Sequence, residues 1–338
     1  MIPIFTGCIF PSLQPGYILE ANEKIAKSKQ RLLDLPPSEE APLVLNSLDR
    51  YDLPRHFRES TNSMIIPTSR QTPENSDLPN LEGLAFLHVS ASAQPAVQEF
   101  RALTAHYQGI YEEITIVNLR EESCIFINGD AISAFAATNL GNMGKSLKQI
   151  INGENDIISY ARGSEKLPVY KIISKTPLDT LDERVPIEML VDKVYTEQEV
   201  VKSEGLSYVR IPMTDHMRPN DSAVDAFVVK FSQRKPDTHL HFHCWEGHGR
   251  TTTVMIMIDS MQNAGNVSFK DICKRQWWLG GEGSNMSNVP KKPSYKHELF
   301  DERFQFLSTF YQYCLENRES GFQKSWTQYL QINGIHNF

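Results

Sequence analysis

Apolar and polar positions follow different rules on the two sides of Leu84. Before it, apolar residues are scattered among Pro, Ser and Asn. One helix is predicted over residues 18–33, ending before LPPSEEAP, and residues 68–80 read as loop or linker. From Leu84 onward, apolar runs of strand length alternate with segments of helical spacing. LAFLHV reads as a strand, AQPAVQEFRALTAHY as a helix and ITIVNLR as a second strand. A mixed region follows, with the apolar run CIFI, a helix predicted over 145–161, and the strand-like pieces VYKII and VPIEMLV. A short helix is predicted over 197–202. LSYVRIPM is then a strand, AVDAFVVKF a helix, and HLHFHC a strand that runs into WEGHGR. TTTVMIMIDSMQ is predicted as a buried helix, with Met255, Met257 and Met261 on its buried side. FKDICKRQWWL and residues 295–317 are further helices, with Trp277 and Trp278 as packing residues. Strands alternating with helices imply an α/β fold, with a mostly parallel sheet covered on both faces. Such sheets bind ligands at the carboxyl ends of their strands.

Composition narrows the function. The chain has 338 residues, with 34 Lys and Arg against 41 Asp and Glu, a formal net charge of -7. That balance argues against a general nucleic-acid binder, which needs a basic surface. It leaves room for an anionic substrate, because a few local cations outweigh a distant net charge. Cys8, Cys124, Cys244, Cys273 and Cys314 are scattered and form no CxxC pair, so a disulfide framework is not expected. No apolar run reaches the ~18 residues of a transmembrane helix. The start, MIPIFTGCIFPSLQPG, lacks basic residues before its apolar stretch, and Pro11 and Pro15 interrupt it. No secretory signal is therefore expected.

Chemistry concentrates in His243-Cys244-Trp245-Glu246-Gly247-His248-Gly249-Arg250-Thr251, between an apolar strand and an apolar helix. A loop at a helix N-terminus aims backbone N–H groups at one point and adds the positive end of the helix dipole. Gly247 and Gly249 let the backbone curl into an anion cradle. The same field favours the thiolate of Cys244. Arg250 offers a planar fork to two phosphoryl oxygens, and Thr251 is expected to donate to the sulfur. Together these residues describe a nucleophile that attacks a phosphate monoester and forms a phosphocysteine.

Transfer to sulfur needs a proton for the leaving oxygen. Asp215, in Met213-Thr214-Asp215-His216-Met217-Arg218-Pro219, is the candidate acid, at a strand end and about 30 residues before Cys244. Taken alone, this aspartate reads more readily as a turn or N-cap residue than as an acid. His216 beside it is a candidate contact to a second phosphate or a turn histidine. His239, His241 and His243 alternate along one strand and share a face. They suggest a metal site only weakly, because the strand lies at a sheet centre. His243 is instead expected to hydrogen-bond the loop backbone and support it. Lys291, Lys292 and Lys296 follow the Gly-rich LGGEGSN and suit either polyanion binding or a solvated helix start.

The Cys244–Arg250 segment resembles the signature loop of cysteine-dependent protein tyrosine phosphatases. LPRHFRES (53–60), SASAQPA (90–96), VNLREES (117–123), IPMTDHMRP (211–219), LHFHCWEGHGRTTT and YCLENRESGFQKSW (313–326) extend the likeness, in order, over roughly residues 50–330. They look like the bacterial tyrosine-phosphatase-like myo-inositol polyphosphate phosphatases, the cysteine phytases. This resemblance implies a cysteine-phosphatase fold with a smaller β-rich portion, stepwise dephosphorylation of inositol polyphosphates such as phytate, and no metal or other cofactor. Residues 1–80 would be an extension and linker packed on the core. Residues 81–330 would be the phosphatase domain, with its β-rich portion within about 120–195. Cys244, Arg250 and Asp215 would carry the chemistry, with Trp245 to Gly249 and Thr251 forming the phosphate loop. Arg58 and Arg120 would contact phosphate, although Arg120 could instead pair with a nearby Glu. The partner would be an anionic phosphorylated small molecule or a phosphoinositide headgroup. The alternatives are a phosphoinositide-lipid or phosphotyrosine-protein phosphatase, and a non-enzymatic pseudophosphatase, which would be expected to lack Cys244, Arg250 or Asp215. A cytoplasmic place, or export into a host cell without a secretory signal, fits this start. The chain departs from the pattern in Glu246, where the family has a small residue, in the bulky Trp245, and in Asn118, where the family often has Asp.

Overall fold

The computed structural model describes residues 41–61, 78–176, 181–287 and 296–335. The helix expected over 18–33, Cys8, the linker over 68–77, Lys291 and Lys292 lie outside the described residues. Strands and helices are numbered in chain order. A five-stranded sheet holds β2 (Arg58–Glu59), β3 (Val89–Ser92), β4 (Glu113–Arg120), β10 (Ser207–Met213) and β11 (Thr238–His243), in the order β10-β4-β11-β3-β2. All its pairings are parallel except the edge pair β2–β3. A six-stranded sheet holds β1 (Leu43–Ser47), β5 (Cys124–Ile127), β6 (Asp130–Ala134), β7 (Lys166–Lys175), β8 (Leu181–Leu190) and β9 (Val194–Tyr195), in the order β8-β7-β1-β6-β5-β9. There β1 is an interior strand, antiparallel to β6 and parallel to β7.

The helices are α1 (Val97–Tyr107), α2 (Leu147–Arg162), α3 (Glu197–Ser203), α4 (Asp221–Ser232), α5 (Gly249–Asn263), α6 (Phe269–Gly280), α7 (Lys296–Asn317) and α8 (Trp326–Ile332). Side-chain caps fix several starts. Ser146 and Gln149 close a reciprocal capping box on α2, Thr196 and Glu199 do so on α3, and Asn220 accepts from Ala223 N at 2.8 Å on α4. Helix α5 is buried from Arg250 through Met261, as the sequence predicts, and packs on the central sheet in the largest core cluster. Burying each of its Val, Ile and Met side chains contributes roughly 1.5–3 kcal/mol.

The expected LAFLHV strand is only partly one. Leu84–Leu87 form a 3-10 turn and the strand starts at Val89. Between them His88 sits at φ 49, a left-handed conformation that no strand accommodates, while its Nδ1 lies 2.9 Å from Pro236 O. An unbroken apolar run carries no periodicity to separate the two forms. At the carboxyl end of the central sheet, His243 is in register with Ser92 of β3 and Asn118 of β4. The chain leaves β11 there and enters α5 six residues later, at Gly249.

Candidate active site

The turn between β11 and α5 is shaped by one glycine above all. Gly247 has φ 76, and a Cβ there would lie 2.6 Å from Ala93 N and from Ser92 C. Glycine alone fits that approach. The turn is tied down on both sides: Gln94 N donates to Trp245 O at 3.0 Å, and His56 Nδ1 lies 2.7 Å from Glu246 O. Cys244 and Arg250 are 4% and 2% exposed at the base of a cavity of about 470 Å³. Asp215, His216, Lys175, Lys296 and Arg303 also line it.

The Arg250 guanidinium faces two carboxylates. Its NH1 and NH2 donate to Glu122 Oε2 and Oε1 at 2.6 and 2.8 Å, and its Nε lies 3.3 Å from Asp215 Oδ1. Asp215 also accepts from Asn139 Nδ2 at 2.8 Å and from His216 N at 3.0 Å. Burial resists its ionisation, but the Arg250 guanidinium, His216 and these donors outweigh burial and hold the carboxyl well below the usual carboxylate range. Glu122 is likewise pushed up by burial and drawn down further by Arg250 and Arg120.

The sequence-predicted residues divide into two groups. Cys244, Trp245, Glu246, His248, Gly249, Arg250, Asp215, His216 and Lys296 all border the one cavity. Arg58 and Arg120 do not. Arg58 is 5% exposed and lies behind the turn, donating to Thr252 Oγ1 at 3.1 Å, and burial lowers its pKa to about 10. Arg120 is fully buried. It donates to Asn46 Oδ1 at 2.6 Å and Gln94 Oε1 at 3.0 Å, and pairs with Glu122 at 3.5 Å. Both therefore hold the site from behind, and Arg120 takes the paired alternative. Two expected local bonds are also different. His243 does not bond the loop backbone: its Nε2 meets Glu197 Oε1 at 2.8 Å, and Glu197 also accepts from Gln94 at 3.0 Å. Thr251 Oγ1 is buried and makes no hydrogen bond to the sulfur.

The departure at Glu246 has a geometric explanation. Its carboxylate turns outward and lies 3.3 Å from Arg55 NH1, half exposed, rather than over the anion cradle. Trp245 packs edge-on against Phe135, with Lys175 Nζ 3.9 Å above its ring. The third departure, Asn118, is fully buried, and its Oδ1 accepts from Arg120 N at 2.7 Å.

The other histidines of β11 are spent on the core. His239 Nε2 and His241 Nδ1 share Ser90 Oγ at 2.8 and 2.9 Å, and His241 Nε2 lies 2.9 Å from Ser92 Oγ. Burial pushes His239 down to about 3 and His241 well below its ordinary value.

The sequence reading missed Glu122, Asn139, Lys175 and Arg303. Arg303 carried a signal: it lies seven residues after Lys296 and three after Phe300, on one helix face, and all three line the cavity. Its guanidinium is 4% exposed, stacks 4.5 Å from the Phe300 ring and has an unpartnered Nε. Burial lowers its pKa to about 10, against the opposing pull of Asp215 and Cys244.

A family model for PTP-like phytases, described by the words inositol hexakisphosphate, matches residues 117–261. The solved structure of the PTP-like myo-inositol phosphatase from Mitsuokella multacida, in complex with myo-inositol-(1,3,4,5)-tetrakisphosphate, is 29% identical with a TM-score of 0.78. That match covers 94% of this chain and 54% of the solved one. The effector protein hopD2 of Pseudomonas syringae pv. tomato is 28% identical over 301 residues, 87% of this chain and 61% of the relative. The uncharacterised protein AvrBs1.1 of Xanthomonas campestris pv. campestris is 36% identical over 97 residues, 29% of this chain and 92% of the relative. The chain thus spans about six tenths of hopD2 and about half of the Mitsuokella protein.

Proposed function

The chain belongs to the PTP-like phytases, and on that premise we propose that it hydrolyses phosphate monoesters of myo-inositol polyphosphates through a phosphocysteine intermediate. The observation that carries this reading is the convergence of Cys244, Arg250 and Asp215 on one cavity, with the Arg250 guanidinium 3.3 Å from Asp215. The Cys244 thiolate attacks phosphorus, an S–P bond forms, and the bond from phosphorus to the ester oxygen breaks. Asp215 delivers its proton to the departing inositol oxygen. Water then attacks phosphorus, Asp215 takes a proton from it, and the S–P bond breaks to release phosphate and the thiolate. Backbone N–H groups of the turn and Arg250 stabilise the charge on the equatorial oxygens.

Asp215 must hold a proton to act as the acid, yet Arg250 favours its ionised form. A bound phosphate dianion resolves this. It competes for the Nε edge of Arg250 and places negative charge beside Asp215, and both effects raise the carboxyl's pKa. His216, Lys175, Lys296 and Arg303 surround the cavity mouth and walls, and a ring carrying several phosphates fits that arrangement better than a single phosphotyrosine. The solved relative's tetrakisphosphate complex supports the same ligand class. The relative named as an effector supports a role inside a host cell. Among the described residues no helix is long and apolar enough to cross a membrane.

Phosphate release from phytate, a phosphoinositide and a phosphotyrosyl peptide, compared side by side, tests the reading. The expected order of kcat/KM puts phytate first. A higher kcat/KM for the peptide would overturn the substrate class and leave the chemistry standing.

A further inference from the structure

One buried carboxylate brackets Cys244 from both sides. Glu197 is the first residue of α3 and is buried. Its Oε1 lies 2.8 Å from Nε2 of His243, the residue before Cys244. Its Oε2 accepts from Gln94 Nε2 at 3.0 Å. The backbone N of Gln94 in turn donates to the carbonyl of Trp245, the residue after Cys244, at 3.0 Å. His243 and Gln94 are both buried. The Nδ1 of His243 is buried too and makes no hydrogen bond among the described residues, so Glu197 alone sets the hydrogen-bonded direction of the ring.

The charges around this pair need a second cation. Glu197 is faced by His243 and Gln94, by Tyr208 and Arg210 of β10, and by Glu154 of α2. His243 is faced as well by His241 on its own strand and by the edge of the Phe100 ring, 6.3 Å away between centroids. Burial keeps Tyr208 and His241 neutral, pushing the first up and the second down. Burial also pushes Glu154 up, but its Oε1 accepts from Arg210 NH1 at 2.7 Å and from Cys124 N at 2.9 Å, which marks it as the ionised partner of that arginine. Two buried carboxylates, Glu154 and Glu197, therefore stand against one guanidinium. An uncompensated buried carboxylate is costly, and a protonated His243 supplies the missing charge. Its Nε2 must be a donor in any case, because a carboxylate only accepts.

We propose that Glu197 is a positioning residue for Cys244. It forms a buried ion pair with His243 that fixes the ring and its charge one residue from the sulfur, and through Gln94 it holds the other side of the turn. A cationic imidazole in that place favours the thiolate, so Glu197 acts on the nucleophile without touching it. This role rests on the phosphatase reading above, in which Cys244 is the nucleophile, but the thiol is read apart from turnover.

The test compares three variants of the full chain: Glu197→Gln, His243→Gln and the two together. Glu197→Gln keeps the size of the side chain and an oxygen for His243 but removes the charge. Alkylation of Cys244 by iodoacetamide is followed across pH, with the Cys244 peptide read by mass spectrometry. In Glu197→Gln the midpoint of the profile should rise by about one pH unit, a roughly tenfold slower reaction below it. The double variant should lie no higher than the higher of the two single ones, because each single change already breaks the same ion pair. A loss of stability alone would leave the midpoint of the folded chain in place. An unchanged or lowered midpoint in Glu197→Gln would overturn the proposal. So would additive shifts in the double variant, because Glu197 would then not act through His243. If Glu197→Gln does not fold, NMR of the histidine ring nitrogens in the unchanged chain decides. Near neutral pH both nitrogens of His243 should carry a proton, and a bare Nδ1 would overturn the ion pair. Turnover is a separate reading: an unchanged chain that fails to hydrolyse p-nitrophenyl phosphate would sink the phosphatase reading, while the alkylation profile still decided Glu197.

Discussion

Asp215 Oδ1 lies 3.3 Å from Arg250 Nε, and Glu122 occupies both terminal nitrogens of the same guanidinium. One buried and one partly exposed carboxylate therefore share one buried cation. The proposed acid is held ionised by the residue that is also proposed to grip the substrate, so proton delivery is coupled to phosphate binding. Asp215→Asn keeps the shape and cannot donate as a carboxylic acid. With an inositol oxygen as leaving group, kcat should fall by roughly 10²–10⁴-fold. With nitrophenolate the fall should be smaller, because that leaving group needs little protonation. Substrate affinity should hold or tighten as one negative charge leaves an anion site. Equal losses on both substrates, expressed through weaker binding, would make Asp215 a positioning residue.

Glu122→Gln tests the other half of the shared cation. It leaves Arg250 with Asp215 and the Met213 carbonyl at 3.2 Å as its remaining partners. Breaking one side of a buried ion pair costs about 3–5 kcal/mol, so urea unfolding should shift to a clearly lower midpoint. The KM for inositol polyphosphate should rise as well, because the fork loses its fixed orientation. A stability within about 1 kcal/mol of the parent would show that the pair is not needed to hold Arg250.

Arg303 should behave in the opposite sense. Its guanidinium is buried near Cys244 and Asp215, its Nε is unpartnered, and among the described residues no carboxylate is bonded to it. An uncompensated buried cation costs stability, so Arg303→Met should leave thermal stability equal or higher. The same change should raise KM for a polyphosphate by about tenfold, the usual worth of one charge-assisted pair. An unchanged KM would assign Arg303 to packing against Phe300.

Most of the central architecture was legible because its signals are local. The β11–turn–α5 unit announces itself through an apolar strand, two glycines and an apolar helix, and that unit alone places Cys244 and Arg250. Asp215 was legible from its strand end. What the sequence hid was long-range pairing. Glu122 and Arg250 are 128 residues apart, and Glu197 reaches His243 across 46. No spacing rule reports such contacts. Strand β1 was missed because LVLNS is short and lies in a Pro- and Ser-rich stretch, although it pairs on both sides. Helix α8 has seven residues, too few for a helical period to register, and is secured instead by Trp326, whose Nε1 donates to Asp221 Oδ1 at 3.0 Å. The partners of Arg58 and Arg120, Thr252 for one and Asn46, Gln94 and Glu122 for the other, were not legible, because an arginine beside a strand end looks the same in sequence whether it faces ligand or core.

The buried histidines of β11 give a pH signature independent of activity. Burial keeps His239 neutral down to about pH 3 and pushes His241 well below its ordinary value. The unfolded chain protonates both near pH 6.5, so it binds more protons than the folded chain below that pH. Stability should therefore be fully present above about pH 6.5 and fall as pH is lowered. The slope should approach about 1.4 kcal/mol per pH unit for each histidine. Unfolding measured between pH 6.5 and 4.5, above the range of ordinary carboxylates, reads this contribution. His239→Gln should reduce the slope by about one proton's worth, and an unchanged slope would mean His239 is not the group responsible.

The covalent intermediate is the central claim, and rapid quenching tests it most directly. Asp215→Asn chain mixed with p-nitrophenyl phosphate, whose leaving group needs little protonation while hydrolysis of the adduct still lacks its base, and denatured in acid within the first turnover should yield a phosphoryl adduct on the peptide that contains Cys244, detectable by mass spectrometry. The same experiment on the chain with Cys244→Ser should yield none, and its phosphate release should fall at least about a thousandfold, because a serine hydroxyl does not ionise in this field. No adduct in the first chain, together with phosphate release within tenfold of the parent in the second, would contradict the account.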